Sequence, residues 1–279
     1  MIKIAVPNKG RMFKSTIELL KKSGYGPKEL NERKLSLETN HDGIKILFMR
    51  TEEIGFYVES NIADLGITGY DIVVEKKFSI EKILDLNYGS CQLVLAGLKN
   101  KKIIDGIKIA TKYRNITKDF LKKKGINAQI IDSQGATEIK PQLGLADFII
   151  DITSTGTTLE VNGLLIYDVI LKSNAILIGN KKSLNKKSEE ISDIKLAIQS
   201  VISAENRSYL LFNLSKEILD KIIDKIPCMR APTIVKTSNE KMVSVQTVVP
   251  TNEVSKIIKE LKIFGASDIL VLDIKRVVI

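Results

Sequence analysis

The sequence of 279 residues contains no tryptophan, one histidine and two cysteines, and it lacks any long run of apolar residues. The single histidine, His41, lies in a polar turn, which argues against a zinc site or a triad built on histidine. The two cysteines, Cys91 and Cys228, have no metal-type spacing, and we expect both to be buried, reduced and structural. A membrane span needs about 18 apolar residues in a row, so the sequence predicts a cytoplasmic protein with no membrane partner.

Basic residues outnumber acidic ones by 43 to 33, which gives a formal net charge of +10. Such an excess favours anionic partners, either nucleic acid or phosphorylated metabolites. The lysines are spread over predicted helix faces, as in Lys122–Lys124, and no block of arginine and aromatic residues suits stacking on bases. We therefore expect no nucleic-acid partner, and a nucleic-acid binder stays open only as a minor alternative.

Apolar runs of strand length alternate with helical patterns, which predicts an α/β fold built from βα units around mainly parallel sheets. We expect one lobe from residues 1–90 with 180–206, and a second lobe from residues 91–179. The second lobe would include a helix at Glu138–Leu143 and a last strand at Ala175–Ile178. Two such lobes that hinge, with a ligand between them, form a periplasmic-binding-protein-like core.

Residues 207–279 show a different order of elements, strand–helix–strand–strand–helix–strand. This βαββαβ pattern is typical of a ferredoxin-like domain. Such modules often bind small ligands or pair with a second copy. The pattern alone leaves open whether the domain is regulatory or serves only for dimerisation.

A segment rich in hydroxyl groups follows the apolar strand that ends at Asp151. Backbone N–H groups between a strand and a helix favour a phosphate, and Gly156 allows close approach to the backbone. We expect Asp151 to accept hydrogen bonds from ribose hydroxyls, so the segment suits a ribose 5-phosphate. The alternative is a helix cap without a ligand. The predicted hydroxyl donors are Thr153, Ser154, Thr155, Thr157 and Thr158.

A second cluster is basic and follows two predicted strands. Lys9 and Arg11 come after the first strand, and Arg50 comes directly after the second. Because neighbouring strands end side by side, these cations are expected to converge on one polyphosphate. The alternative is a set of solvated surface charges. Glu138 either faces the same cleft or is an exposed residue at a helix start.

These segments together resemble the long form of the ATP phosphoribosyltransferase family, and the resemblance runs from the first strand to the last. The most specific match is Glu138–Asp147 followed by Asp151–Leu159 and Glu160–Gly163. The supporting blocks are Asn8–Arg11, Ala63–Gly69 and Gly89–Leu93, with Arg230–Thr233 and Leu261–Leu270 near the carboxyl end.

The resemblance implies that N1 of ATP attacks C1 of phosphoribosyl pyrophosphate, giving phosphoribosyl-ATP and pyrophosphate, with Mg²⁺ on the pyrophosphate. It implies that Asp151 and the loop at 153–158 hold the ribose 5-phosphate half. Lys9, Arg11 and Arg50 would meet the polyphosphates. Tyr113 and Arg114 would line the same cleft. The metal ligands stay unknown at this stage.

The resemblance also implies that the carboxyl-terminal domain binds histidine as an inhibitor, through Asn213, Thr233 and Asp268. Thr233 matches a hydroxyl that contacts the ligand. Asn213 stands where some long-form members carry an acid, and an amide cannot balance the ligand's positive charge. Family members form dimers and hexamers, so we expect a homo-oligomer. The competing classes are a two-lobed solute-binding protein, which shares the hinge architecture, and a non-catalytic subunit.

Overall fold

The computed structural model describes residues 1–29, 34–223 and 228–278. The chain divides into two compact units, Met1–Lys195 and Leu196–Ile279. Within the described ranges, no helix is long and apolar enough to cross a membrane.

The first unit contains two sheets flanked by helices. Its strands are β1 Ile2–Pro7, β2 Ser36–Glu38, β3 Ile44–Met49, β4 Leu65–Gly69, β5 Glu81–Asp85, β6 Cys91–Leu98, β7 Ile107–Thr111, β8 Ala128–Asp132, β9 Phe148–Thr153, β10 Leu164–Ser173 and β11 Ala175–Gly179. Its helices are α1 Phe13–Lys22, α2 Ile54–Glu59, α3 Tyr70–Lys76, α4 Arg114–Lys124, α5 Thr157–Val161 and α6 Lys181–Lys186, while α7 Ser188–Ala204 spans the boundary between the units.

The two sheets share one topology, apart from the edge strand β2, which has no counterpart among the described strands of the second sheet. The first sheet has the order β2-β3-β1-β4-β11-β5 and the second has the order β10-β6-β9-β7-β8. In each, a parallel trio is followed by one antiparallel strand, β11 or β6, and then by an outer strand. Each antiparallel strand is the first strand after the chain crosses from the other sheet. Two lobes joined by two crossings confirm the periplasmic-binding-protein-like core.

Strand β11 corrects one expectation. We placed Ala175–Ile178 in the second lobe, but β11 pairs with β4 and β5 in the first sheet. Its side chains Ile176 and Ile178 pack into the core of the first lobe, around Ile54 and Val58. An apolar run shows that a strand is buried but not which sheet buries it, so the expected limit at residue 179 falls one strand too late.

Two further expectations differ from the structure. The helix expected at Glu138–Leu143 is only a 3-10 turn, Thr137–Ile139, followed by irregular turns. Pro141 explains this, because it has no N–H to donate within a helix. Cys91 is buried as expected, but Cys228 is exposed, since it lies outside the strands and helices.

The second unit contains β12 Arg207–Ser215, α8 Lys216–Ile222, β13 Thr233–Lys236, β14 Met242–Pro250, α9 Val254–Ile263 and β15 Ser267–Asp273. The sheet order is β13-β14-β12-β15, and all neighbouring strands are antiparallel. This βαββαβ sheet confirms the ferredoxin-like fold. Alternate residues of β12, such as Leu210 and Phe212, pack against both helices, whereas Tyr209 and Asn213 lie on the opposite face.

Candidate active site

A cavity of about 510 Å³ lies between the two lobes of the first unit. Lys9, Arg11 and Arg50 line it from the first lobe, and Lys112 and Tyr113 line it from the second. The structure thus brings together the basic residues that follow β1 and β3. The reason is the parallel pairing of these strands, which places Pro7 opposite Met49 and lets both loops leave the same sheet edge.

Arg11 is held at the entrance to the second lobe. Its Nη2 atom donates a hydrogen bond of 3.0 Å to the sulfur of Cys91, the buried first residue of β6. Gly10 just before it has a φ of +84°, a conformation that favours glycine and turns the loop after β1 towards the cavity. Lys9 and Arg50 are exposed, so all three cations can reach an anion in the cavity.

Asp71, in α3, is buried at the meeting point of the two lobes. Its carboxylate accepts hydrogen bonds from the Tyr113 hydroxyl at 3.1 Å and from the Ser173 hydroxyl at 2.6 Å. Burial, followed by the negative charges of Asp71 and Asp151, raises the pKa of Tyr113 far above its ordinary value. Tyr113 therefore stays protonated and acts as a fixed donor rather than as a base.

Asp151 lies in β9, beside the cavity. One of its oxygens accepts a 2.8 Å hydrogen bond from the N–H of Ile152, which itself lines the cavity. Burial raises the pKa of Asp151, and the negative charge of Glu138 adds to the rise, while the Ile152 N–H and Lys112 oppose it. The carboxyl therefore takes up a proton at a higher pH than an exposed aspartate does.

The hydroxyl-rich loop links β9 to the short helix α5. The hydroxyl of Thr153 accepts a 2.9 Å hydrogen bond from the N–H of Gly156, and the Thr155 and Thr157 hydroxyls are 2.9 Å apart. Gly156 has a φ of +86°, and the nearest atom to a Cβ built there is 3.9 Å away. Gly156 itself is buried and its N–H is bonded to Thr153, but the side on which a Cβ would stand has no close neighbour among the described residues, and a phosphate could approach there. The side chains of Ser154, Thr155, Thr157 and Thr158 are exposed.

Several predicted residues do not line this cavity. Ile152 lines it, but Asp151 and the 153–158 loop adjoin it without contributing to its wall. Glu138 is half-buried near Asp151, and Arg114 is the exposed first residue of α4. Their roles as ligands of the substrate stay predictions.

The family model HisG, described as ATP phosphoribosyltransferase, matches residues 50–200, and the model of the HisG C-terminal domain matches residues 204–276. An ATP phosphoribosyltransferase of Methanocella arvoryzae is 39% identical, over 100% of both chains. One of Methanothermobacter thermautotrophicus is 40% identical, over 99% of both. The chain belongs to the ATP phosphoribosyltransferase family. The match of both family models confirms the long form.

A solved structure supports the same conclusion for the fold. The chain is similar to the structure titled "ATP phosphoribosyl transferase (HisG:HisZ) complex from Thermotoga maritima", with a TM-score of 0.66 and 32% identity. The similarity covers 74% of this chain and 100% of that one.

Among the residues that line the cavity of this ATP phosphoribosyltransferase family member and that sequence reasoning missed are Asp71, Glu75, Lys112 and Gln134. Asp71 follows β4 at the same sheet edge as Arg50, so the argument from strand ends could have found it. Lys112 follows β7 in the same way. Glu75 gives no such signal, because its partners are brought to it only by the tertiary fold.

The acidic residues fit a metal that arrives on a substrate better than one held by the protein alone. Within residues 1–29, 34–223 and 228–278, no group of three or more His, Cys, Asp or Glu side chains could hold a metal ion. Magnesium commonly binds through one or two carboxylates together with substrate phosphates and water. Asp151 and Glu138 are two carboxylates of the second lobe, near enough for the charge of Glu138 to raise the pKa of Asp151.

In the second unit, Asn213 and Asp268 contact each other. The amide of Asn213 donates a 2.9 Å hydrogen bond to Asp268, and the Ser267 hydroxyl donates another at 3.0 Å. These two donors hold the pKa of the exposed Asp268 below its ordinary value. A carboxylate therefore stands beside the amide at position 213.

Thr233 lies on the same face of the ferredoxin-like sheet but in a separate recess. It lines a cavity of about 340 Å³ together with Tyr209, Arg230 and Gln246. Asn213 and Asp268 do not line that cavity. The structure thus places two of the three predicted regulatory residues in contact and the third beside a neighbouring hollow.

Proposed function

We propose that the cavity between the two lobes carries out the reaction of the ATP phosphoribosyltransferase family. In that reaction N1 of ATP attacks C1 of phosphoribosyl pyrophosphate and displaces pyrophosphate, which is the first step of histidine biosynthesis. The observation that carries the assignment is the convergence of Lys9, Arg11 and Arg50 on one cavity whose wall includes Ile152 of β9, just before the hydroxyl-rich loop.

The two parts of the site, the loop and the basic cluster, suit different phosphate groups of the substrates. The loop around Gly156, with free space on the Cβ side of that glycine and with exposed hydroxyls, suits the ribose 5-phosphate, and Asp151 accepts hydrogen bonds from the ribose hydroxyls. Lys9, Arg11 and Arg50 bind the polyphosphates. Pyrophosphate is a good leaving group, so catalysis depends on alignment of the two substrates and on stabilisation of the charge that develops on pyrophosphate.

The proposed metal is Mg²⁺. When bound it would neutralise charge on the pyrophosphate, and Asp151 and Glu138 would hold it beside the cavity. The chain's own contribution is to keep these carboxylates next to the cavity, where the Ile152 N–H donates to Asp151 and the positive charge of Lys112 lies near it.

Histidine is the proposed inhibitor, bound to the ferredoxin-like unit. The carboxylate of Asp268 offers the negative charge that an amide at position 213 lacks, and Asn213 holds that carboxylate in place. Thr233 supplies a hydroxyl on the same sheet face. We also propose a homo-oligomer of the dimer or hexamer kind, and a cytoplasmic location, where ATP and phosphoribosyl pyrophosphate are made.

The test of the catalytic proposal is an assay of the purified full-length chain with ATP and phosphoribosyl pyrophosphate. Formation of phosphoribosyl-ATP, followed by ultraviolet absorbance, should require both substrates and Mg²⁺. Leaving out each component in turn provides the controls. Tight binding of a small solute without turnover would instead support a solute-binding protein with the same two-lobed fold.

A further inference from the structure

Helix α3 is shared by the cores of both lobes. Tyr70 and Val73 pack against the first-lobe core, whereas Val74 packs against the second-lobe core. Asp71 and Glu75 are four residues apart, so they lie on the same side of the helix, and both bond to residues of the second lobe. The side of α3 that faces the second lobe therefore carries two carboxylates, spaced one turn apart.

The carboxylate of Glu75 caps a helix of the other lobe. It accepts hydrogen bonds of 3.0 Å from the N–H groups of Asn115 and Ile116, in the first turn of α4. The side-chain amide of Asn115 returns a 2.7 Å hydrogen bond to the carbonyl of Glu75. Glu75 is only 8% exposed, so these bonds are shielded from water.

This cap has two consequences for the cavity. The unpaired N–H groups and partial positive charge at the start of α4 are satisfied by a protein carboxylate, so they are not left for a substrate phosphate. Lys112 and Tyr113 come immediately before α4 and line the cavity. The Lys112 ammonium lies 5.2 Å from the centre of the Tyr113 ring, and the backbone of both residues leads directly into α4, so the position of α4 sets where they stand in the wall.

We propose that Glu75 is a positioning residue of the reaction, which sets the spacing between the two walls of the cavity. Through α3 it ties Lys112 and Tyr113, in the second lobe, to the lobe that carries Lys9, Arg11 and Arg50. This inference rests on the proposed function. The cluster of Lys9, Arg11 and Arg50 lies within the first lobe, and the loop at 153–158 lies within the second. Each substrate therefore keeps its contacts when the Glu75 hydrogen bonds are lost, and only the alignment of the two substrates with each other suffers.

The test compares kcat with substrate binding in Glu75→Ala. A misplacement of about 1 Å costs up to about 10²-fold in rate, so we expect kcat to fall by about 10–100-fold. The Kd of ATP and that of phosphoribosyl pyrophosphate, each measured alone by calorimetry, should stay within about threefold of wild type. Glu75→Gln keeps one carbonyl acceptor, so its kcat should lie between that of wild type and that of Glu75→Ala.

Asp119→Ala is the matched control. Asp119 lies on α4 and forms a 3.5 Å ion pair with Lys77, at the end of α3, but both side chains are more than half exposed. The substitution removes an acidic side chain from the same pair of helices without changing the Glu75 cap. The kcat of Asp119→Ala should therefore equal that of wild type.

Three outcomes decide the matter. A folded Glu75→Ala with wild-type kcat overturns the proposal, and so does a loss that appears equally in the Kd of both substrates. If Glu75→Ala does not fold, an unchanged kcat in Glu75→Gln overturns it instead. A wild-type chain that makes no phosphoribosyl-ATP would reject the proposed function itself, which is a separate result.

Discussion

The hydroxyl of Tyr113 donates a 3.1 Å hydrogen bond to the carboxylate of Asp71, and the two residues belong to different lobes. Both are buried and both line the cavity. The contact therefore links the two lobes through buried polar groups beside the cavity. It also bears on the expected hinge, because a movement of the lobes in this region has to break hydrogen bonds at Asp71 and Glu75.

Arg11→Ala is expected to lower kcat/KM by about 10²–10³-fold, as for the loss of one preorganised donor to developing charge. Steady-state kinetics with both substrates measures the effect. The control is Lys14→Ala, which removes one positive charge from an exposed position in α1 outside the cavity wall. Near-normal turnover in Arg11→Ala would mean that the polyphosphate lies elsewhere.

Gly156→Val is expected to abolish most activity by obstructing a phosphate in front of the loop. Gly163→Val is a matched control, since Gly163 also has a positive φ, +63°, and has no neighbouring atom within 4 Å of an added Cβ. Both substitutions force a branched residue into the left-handed region, at a cost of about 1–2 kcal/mol. Thermal unfolding should show similar losses of stability, whereas only Gly156→Val should lose affinity for phosphoribosyl pyrophosphate in calorimetry. Equal losses of affinity in both variants would show that the phosphate does not bind at this loop.

The acid side of the pH profile should report Asp151. Its pKa is raised by burial and by Glu138, so the carboxyl takes up a proton at a higher pH than an ordinary aspartate. If the ionised form binds the ribose, kcat/KM falls with decreasing pH around an apparent pKa above 3.8. Glu138→Gln removes the repulsion and should move this limb to lower pH. If the acid limb does not move in Glu138→Gln, the group that titrates there is not Asp151.

Histidine inhibition should depend on Asp268. Asp268→Asn removes the negative charge that we propose faces the ligand, and Thr233→Val removes a hydroxyl with little change of volume. Both should weaken inhibition and leave uninhibited turnover unchanged. A coupling of about 1–3 kcal/mol between the sites corresponds to roughly a 5–150-fold change in substrate affinity. Asp273→Asn, at an exposed position of the same strand, serves as the control. No histidine binding to the full-length chain in calorimetry would leave the unit with an assembly role only.

Asp64 should stabilise the first lobe in a pH-dependent way. Burial alone would raise its pKa, but the Lys187 ammonium at 2.7 Å, the Ser183 hydroxyl at 2.6 Å and the Lys3 N–H at 2.9 Å lower it below the ordinary value. A lowered pKa in the folded state gives stability that is present above about pH 4 and lost as the pH falls through the folded value.

Asp64→Asn is therefore expected to reduce the free energy of unfolding by about 1–3 kcal/mol at pH 7, with the difference shrinking at acidic pH. Urea unfolding at several pH values measures it. Asp85→Asn is the control, because the Lys82–Asp85 pair is exposed and worth little. A difference between wild type and Asp64→Asn that is independent of pH would show that packing, not charge, is responsible.

The sequence alone determined the classes of element and their order. The apolar runs predicted most strands, and the βαββαβ order of residues 207–279 predicted the ferredoxin-like sheet, because alternation and helical period are local properties. The positions of Lys9, Arg11 and Arg50 in one cavity also followed from sequence, since parallel neighbours end at the same sheet edge.

Only the tertiary structure decided which sheet takes each buried strand and which distant residues meet. Strand β11 is apolar on both faces, so nothing local assigns it to the first sheet, where β4 and β5 accept it. The caps that Glu75 gives to α4 and the contact of Asn213 with Asp268 join residues 40 and 55 positions apart. No periodicity records such pairs, because their geometry arises only when separate elements pack against one another.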